Sequence, residues 1–590
     1  MQVNLSVVNM VLMSSSTSEN LISLRERIRH SAAHLMADAV LQLFPEAKLA
    51  IGPPTEDGFY YDFEVDRPFT PEDLDAIESL MSGAISRSLV FEREELDQER
   101  ANEMFSGQPY KLEIISELSQ GETISIYRHG EFADLCRGPH VPSTAHISAF
   151  KLLSIAGAYW RGDERRPMLQ RIYGTAFESK ESQEEYLQRL EEAQRRDHRR
   201  LGRELELFMF DPIAPASPFF LPKGTIVYNL LLEYVRDLYK IHGYEEVITP
   251  QIYSTELWKR SGHYDNYIDN MFMIQADEKE YGVKPMNCPG HALMYSSKLR
   301  SYRDLPLRYA DFGRLHRFER SGTTHGLTRV RTFSQDDAHI FCTLGQIQPE
   351  IRAFVDMVLQ SYKLFQFHEI RIALSLRPER RVGSDDLWDQ AEEALEEVLT
   401  SLNLEFEKMS GEGAFYGPKI DFFVPDAIGR EWQLGTVQLD FSLPERFDLE
   451  YVAEDGVTRR PVMVHRAMLG TIERFLGVLI EHYAGSFPTW LSPTQVVVIP
   501  IADRHIEYAD KVASSLRNVE IRVEVDDRSE RMNLKIRQAQ LQKIPYMLVV
   551  GDRETESNSA SVRMRDGQDL GSKTVDEVVS LIHGKIVTKG

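Results

Sequence analysis

The chain has 590 residues, more than one hydrophobic core can serve, which implies roughly three to five domains. Hydrophobic residues make up 42% and charged residues 27%, as in ordinary globular protein, and three cysteines are too few for a disulfide framework, which points to a reducing compartment. No apolar run reaches the ~20 residues of a membrane span, and a formal net charge of −23 argues against a general nucleic-acid coat while leaving room for a local basic surface.

The opening MQVNLSVVNMVLMSSSTSEN lacks the basic flank of a signal peptide and the arginines of a transit peptide, so residues 1–20 read as a disordered tail. From Leu21, LISLRERIRHSAAHLMADAVLQLF carries apolar residues at helical spacing and stops at Pro45. His30 and His34 are four apart in it, hence on one face. KLAIGPPTEDGFYYDFEV then reads as loops and short strands, and Pro71 to Ser86 as a second helix. Strands and turns run on to about Phe177, and among them DLCRGPH holds Cys136 and His140. From Glu178 to about Glu206 the chain is highly charged, with a thin apolar stripe at Tyr186, Leu187, Leu190 and Ala193. That predicts an exposed connecting helix and a domain boundary.

A large unit follows, with helices broken by strands such as LRYADFGRLHRF and RVRTFSQDDAHIF. Its segment from Lys298 to Arg331 is rich in arginine and poor in carboxylates, a candidate basic surface or simply a solvated face. The chain breaks again at FPTWLSPTQ, Phe487 to Gln495. Beyond it QVVVIPI, IRVEVDD and PYMLVVGD alternate with helical stretches, which predicts a small α/β domain on a largely parallel sheet.

Cys288 in MNCPGH, His339 in SQDDAHIF and His465 in PVMVHRAMLG are soft or imidazole donors too far apart for a local finger, and spacing alone leaves them unrelated. By themselves His30 and His34 read as a packed core helix. With Cys136 and His140 they make a possible four-donor set, although no Glu follows His30 as in a zinc-protease helix.

The motifs around these residues carry more. GYEEVITPQI, then FGRLHRFERSG with Arg317-Phe318-Glu319 on a strand turning at Ser321-Gly322, then RVRTFSQDD, then MLGTIERFLGVLIEHY with Arg474 one turn into a helix, resemble in order the three motifs of the class II aminoacyl-tRNA synthetases. With MNCPGH, SQDDAH and HRAMLG the resemblance narrows to the threonyl-tRNA synthetases and covers nearly the whole chain after the tail. It implies a multidomain α+β and α/β protein. Its parts would be an α+β editing domain over 21–177, a linker helix over 178–200, an antiparallel-sheet catalytic core over 201–490 and an α/β anticodon-binding domain over 491–590. Many members carry a further small β-rich domain ahead of the editing unit; here the editing helix is expected near residue 21.

The resemblance also implies the chemistry. L-Threonine would be joined to tRNA(Thr) through an adenylate, and serine cleaved again from the tRNA. Arg317 would hold the α-phosphate of ATP and Arg474 the γ-phosphate, with Glu319 on the adenine amino group, Phe333 stacked on the ring and Arg329 near the nucleotide; Mg²⁺ would accompany ATP. Lys419 and Gln433 would lie near substrate carboxylate and phosphate. Cys288, His339 and His465 would hold one Zn²⁺ per subunit with a position open to threonine, beside Met286, Gln335, Asp337, Tyr416 and Gln438. His30, His34, Cys136 and His140 would form the editing pocket without metal, helped by Lys111 and Asp134. The C-terminal basic residues Arg528, Arg531, Lys535, Arg537 and Lys543 would meet tRNA phosphates, or line a solvated helix. A cytoplasmic homodimer with no membrane contact completes the expectation. A non-catalytic paralogue should have lost one of the motif arginines, and a plain metallohydrolase leaves Arg317 and Arg474 without a use.

Overall fold

The computed structural model describes residues 5–118, 123–320, 322–426 and 429–589, with the backbone alone for 5–20. Two compact units divide within the helix Lys180–Arg196: residues 1–190 and 191–590. That helix buries none of its side chains, as its composition predicts.

The first unit opens on the helix Leu5–Leu43. Its backbone is helical through 5–20, where the sequence suggests a disordered tail; residues 1–4 of that tail lie outside the described residues. Met1 to Phe44 contain neither Gly nor Pro, so nothing in the chain breaks the helix once it starts. Its buried stripe, Ile28, Ala32, Leu35, Met36, Ala39 and Val40, recurs at helical spacing. The stripe shares a core with Phe59, Tyr61 and Phe63, which alternate along the strand Phe59–Glu64. That strand lies in a four-stranded antiparallel sheet in the order Lys48–Leu49, Phe59–Glu64, Met168–Phe177, Ala149–Tyr159. The helix Pro71–Ser86 is set by a capping box in which Thr70 and Asp73 bond each other's backbone, with Pro71 at its first position. A second, three-stranded sheet pairs Glu92–Leu96, Ile124–His129 and Phe132–Leu135.

The second unit is built on an eight-stranded sheet ordered Glu245–Glu246, Leu307–Asp311, Asp337–Cys342, Val462–Ala467, Glu431–Asp440, Lys419–Pro425, Arg371–Ser375, Glu407–Met409. The six inner strands are antiparallel; only the two short edge strands pair parallel. Alternation decides which residues face what. Ala310, Ala338, Ile340, Val437, Leu439, Ile420, Phe422 and Val464 enter one large core with the helices Pro222–Ile241, Ile347–Leu364 and Ile472–His482. Their neighbours in sequence must then point to the other face: Asp311, Asp337, His339, Gln438, Asp440, Lys419, Asp421 and His465. A bulge opposite Phe422/Phe423 shifts the alternation so that Gln433 and Thr436 both reach Asp421.

The expected strand through Arg317-Phe318-Glu319 ends at His316, because Phe318 N–H donates to Asn270 O and draws the chain off its ladder with Thr332–Ser334. Ser321 of the expected turn lies outside the described residues; Gly322 has φ +87°.

The C-terminal sheet runs Val523–Val525, Val496–Pro500, Tyr546–Val550 in parallel, as the alternating strands and helices suggest. It then continues through two antiparallel strands, Ser559–Met564 and Asp569–Thr574, whose short polar connection permits a hairpin.

Candidate functional sites

On the open face of the large sheet, His339 and His465 stand directly opposite each other on neighbouring antiparallel strands. Cys288 comes to them from the first position of the helix Cys288–Ser296. The three donor atoms lie within 4.8 Å of one another and all three residues are buried. Burial, then the carboxylates of Asp337 and Asp440, pushes the Cys288 thiol well above its ordinary value. Burial holds His339 well below the imidazole range, hence neutral, the form that ligates. Each imidazole has a partner behind it. His465 Nε2 is 2.8 Å from Asp440 Oδ2, and His339 Nδ1 is 2.8 Å from His291 Nδ1. A cysteine sulfur and two backed imidazoles on three rigid elements fit a divalent zinc ion, which would bind the sulfur as thiolate and leave one position open.

Of the residues expected around this trio, Asp337, Tyr416 and Gln438 neighbour its histidines. Asp337 accepts from Asn287 Nδ2 at 3.0 Å, and burial raises its carboxyl to about 6. Tyr416 lies with its ring centroid 5.2 Å from that of His465. Gln438, opposite both His465 and Lys419 in the ladder, donates to Gly417 O. Met286 Sδ is 3.2 Å from His263 Nε2, and Gln335 bridges to Thr471.

Three arginines form the adjoining wall. Arg317 Nε donates to Pro285 O, and its guanidinium lies 5.0 Å over the Phe333 ring. Phe333 itself is buried with Leu315 and Val330. Arg474 donates to Thr328 O at 2.9 Å and Gln433 O at 3.1 Å. Burial, then repulsion from Arg317 and Arg329, lowers its pKa. Arg329 pairs with Glu319 at 2.8 Å. Lys419, Gln433, Thr436 and Ser375 converge on the buried carboxylate of Asp421. Within the arginine-rich stretch from Lys298 to Arg331, Arg308 pairs with Glu350, Arg314 with Glu473 and Arg329 with Glu319.

In the first unit His30, His34, Cys136 and His140 place their donor atoms within 4.8 Å of one another. Cys136 Sγ is 3.2 Å from His30 Nε2 and 3.1 Å from His140 Nε2. Burial raises the Cys136 thiol to about 12 and lowers His140 to about 2, so the cluster is uncharged near neutrality. His30, His34 and Cys136 line a cavity of about 420 Å³. Lys111 and Asp134 sit in its wall as a buried pair at 2.6 Å, with Tyr61 OH bonded to Asp134 at 2.5 Å and to Lys111 at 3.0 Å.

Sequence reasoning missed the residues behind these sites: Asp440, His291, Asp421 and Tyr61. Asp336, inside SQDDAH, is a further one. It is fully buried, accepts from the backbone N–H of Met468, Leu469 and Gly470, and is raised by burial to about 7. The readable signal was parity: Asp336 falls on the core-facing set with Ala338 and Ile340, where a carboxylate has to be hydrogen-bonded. Of the C-terminal basic residues, Lys535 is buried on Asp526 O and Arg528 pairs with Asp526, so both are engaged within the fold.

Residues 272–483 match the tRNA synthetase class II core domain (G, H, P, S and T), 495–585 an anticodon binding domain, and 124–173 the threonyl and alanyl tRNA synthetase second additional domain. The threonine–tRNA ligase of Alkalilimnicola ehrlichii is 54% identical over 567 residues, covering 96% of this chain and 88% of that protein. That of Caldanaerobacter subterraneus subsp. tengcongensis is 53% identical over 562 residues, covering 95% and 87%. A crystal structure described as the RNA binding domain of threonyl-tRNA synthetase from Cryptosporidium parvum superposes with a TM-score of 0.64 at 44% identity, covering 66% of this chain and 98% of that one.

Proposed function

The chain belongs to the threonyl-tRNA synthetases, and from that membership we propose that it works through two sites, one that selects and activates threonine and one that removes serine from mischarged tRNA. Its activity is that of a threonine–tRNA ligase with a class II core. The division of labour is 21–177 for editing, 178–200 as linker, 201–490 for catalysis and 491–590 for the anticodon. Cys288, His339 and His465, within 4.8 Å of one another beside the arginine wall, are the observation that carries the reading.

In the catalytic core ATP, with Mg²⁺, lies against that wall. Arg317 takes the α-phosphate, where charge develops as the threonine carboxylate attacks, and Arg474 takes the γ-phosphate; a planar guanidinium suits both posts. Glu319 and Arg329 flank the nucleotide base, beside Phe333, and Lys419 and Gln433 are held ready on Asp421. Threonine sits among Met286, Gln335, Asp337, Tyr416 and Gln438. Zinc, when held by Cys288, His339 and His465, supplies an open position that an oxygen fills and a methyl does not, which matters because an apolar pocket separates valine from threonine poorly.

Serine carries the same hydroxyl, so the lost methyl alone gives only ~1–3 kcal/mol of discrimination. The cavity around His30, His34, Cys136 and His140 is the second sieve, closed to the extra methyl of threonine and served by Lys111 and Asp134. A homodimer completes the reading, with Ile241, Ile248 and Leu299, 77%, 88% and 99% exposed, as candidate interface residues. The three unpaired cysteines, all buried, accord with a reducing cytoplasm. No described helix is long and apolar enough to cross a membrane. Threonine-dependent exchange of labelled pyrophosphate into ATP tests the core; absence of exchange, or equal exchange with valine, overturns the proposal.

A further inference from the structure

The loop from Gly322 to Arg331, which carries Arg329 and the Thr328 carbonyl, has a support outside the site itself. His198 opens the short helix His198–Glu204 and is fully buried. Its Nδ1 is 2.6 Å from Glu481 Oε1, and its Nε2 accepts from Leu327 N–H at 2.9 Å. A ring nitrogen that accepts carries no proton, so this is the neutral tautomer with its hydrogen on Nδ1, aimed at the carboxylate. Asp197, His198 and Glu481 bring three donor atoms within 4.8 Å, yet both imidazole nitrogens are taken, which makes the cluster a hydrogen-bonded relay.

The relay and the site share one helix. Glu481 follows Arg474 by seven residues on Ile472–His482, two turns later and on the same face. Midway between them, a Cβ on Gly477 would stand 3.2 Å from Leu327 Cβ and 3.6 Å from His198 Cδ2. On the loop side Gly326 has φ +46°, and a Cβ there would fall 2.1 Å from His198 Nε2. Two glycines therefore let loop, imidazole and helix close together. The helix then grips the loop twice: at Thr328 O directly through Arg474, and at Leu327 N–H through Glu481 and His198.

We propose that His198 is a positioning residue for the nucleotide: by fixing the backbone at Leu327 it sets the posture of Arg474 and Arg329. This rests on the reading that these arginines hold ATP. The test compares full-length His198→Asn and His198→Gln in threonine-dependent pyrophosphate exchange, with each KM measured separately and thermal melting alongside. Asn keeps a donor for Glu481 but reaches nothing at Leu327; Gln places an oxygen where Nε2 accepts. The expected result is a KM for ATP raised about tenfold in His198→Asn, the scale of one lost buried hydrogen bond. The KM for threonine should stay within about twofold, and the Gln variant should recover most of the loss. Gly326→Ala, which drives the ring off the loop while keeping the histidine, should reproduce the defect and serves if His198→Asn does not fold. An unchanged KM for ATP in both His198→Asn and Gly326→Ala overturns the inference, as does an equal rise in both KM values without recovery by Gln. No threonine-dependent exchange in the unaltered chain overturns the reading of the site and the inference with it.

Discussion

Asp440→Asn tests the metal reading at one remove from its ligands. Asp440 Oδ1 accepts from the N–H of Ser442 at 2.7 Å and of Leu443 at 2.9 Å, while Oδ2 faces His465 Nε2 at 2.8 Å. With a carboxylate there, Nε2 carries the proton and Nδ1 is left bare for zinc. An amide keeps its oxygen on the two backbone donors and turns its NH₂ toward His465. Nε2 must then accept, and the proton moves to Nδ1, the nitrogen that has to bind. Loss of such a partner weakens metal affinity ~10–100-fold, or about 1.4–2.7 kcal/mol. The volume of the side chain hardly changes, so the fold should survive, which far-ultraviolet circular dichroism can verify. The assay is competition for zinc between the full chain and a chromophoric chelator of known affinity. Zinc affinity within twofold of the unaltered chain would refute the tautomer reasoning; loss of zinc together with loss of the folded signal would reassign Asp440 to the stability of the turn at Ser442.

His34→Ala should leave threonylation at its normal rate but slow deacylation of seryl-tRNA(Thr) about a hundredfold, read by the accumulation of labelled seryl-tRNA; normal deacylation would remove His34 from that pocket. Ile248→Asp, at a position 88% exposed, should shift the chain from dimer to monomer at micromolar concentration, seen in sedimentation velocity; an unchanged sedimentation coefficient would place the interface elsewhere. Glu178, bonded by Arg25 at 2.6 Å, has its carboxyl pulled from 4.5 down to about 2. Because the folded value is the lower one, its contribution of about 1 kcal/mol is complete above pH ~4.5 and fades as pH falls toward 2. Glu178→Gln should therefore destabilise at pH 6 and make no difference near pH 2, which urea melts at the two values would reveal; an equal loss at both would rule out the ion pair as the cause.

What the sequence disclosed and what it hid divide along physical lines. The helix from Pro71 was legible because Thr70, Pro71 and Asp73 are local signals, and the C-terminal parallel strands because apolar runs between helices are local too. The trio was legible only through the motifs around it: nothing in the spacing of Cys288, His339 and His465 brings them together, since the ladder that pairs the two histidines joins strands more than a hundred residues apart. Asp440, His291 and Asp421 were not legible at all. Each lies among apolar neighbours in its strand or helix, and its importance comes from partners distant in the chain. The ion pairs of Arg308 and Arg314 were hidden for the same reason, because Glu350 and Glu473 are distant in the chain.

That ladder carries a consequence for how the protein is made. Residues 288 and 339 leave the ribosome well before residue 465, and the strand Val462–Ala467 is inserted between two strands that precede it in synthesis. A nascent chain thus holds two donors with no third until its last central strand slots home. A cation held by the proposed trio would then be captured late, as a quality mark granted only to polypeptides whose sheet has been completed.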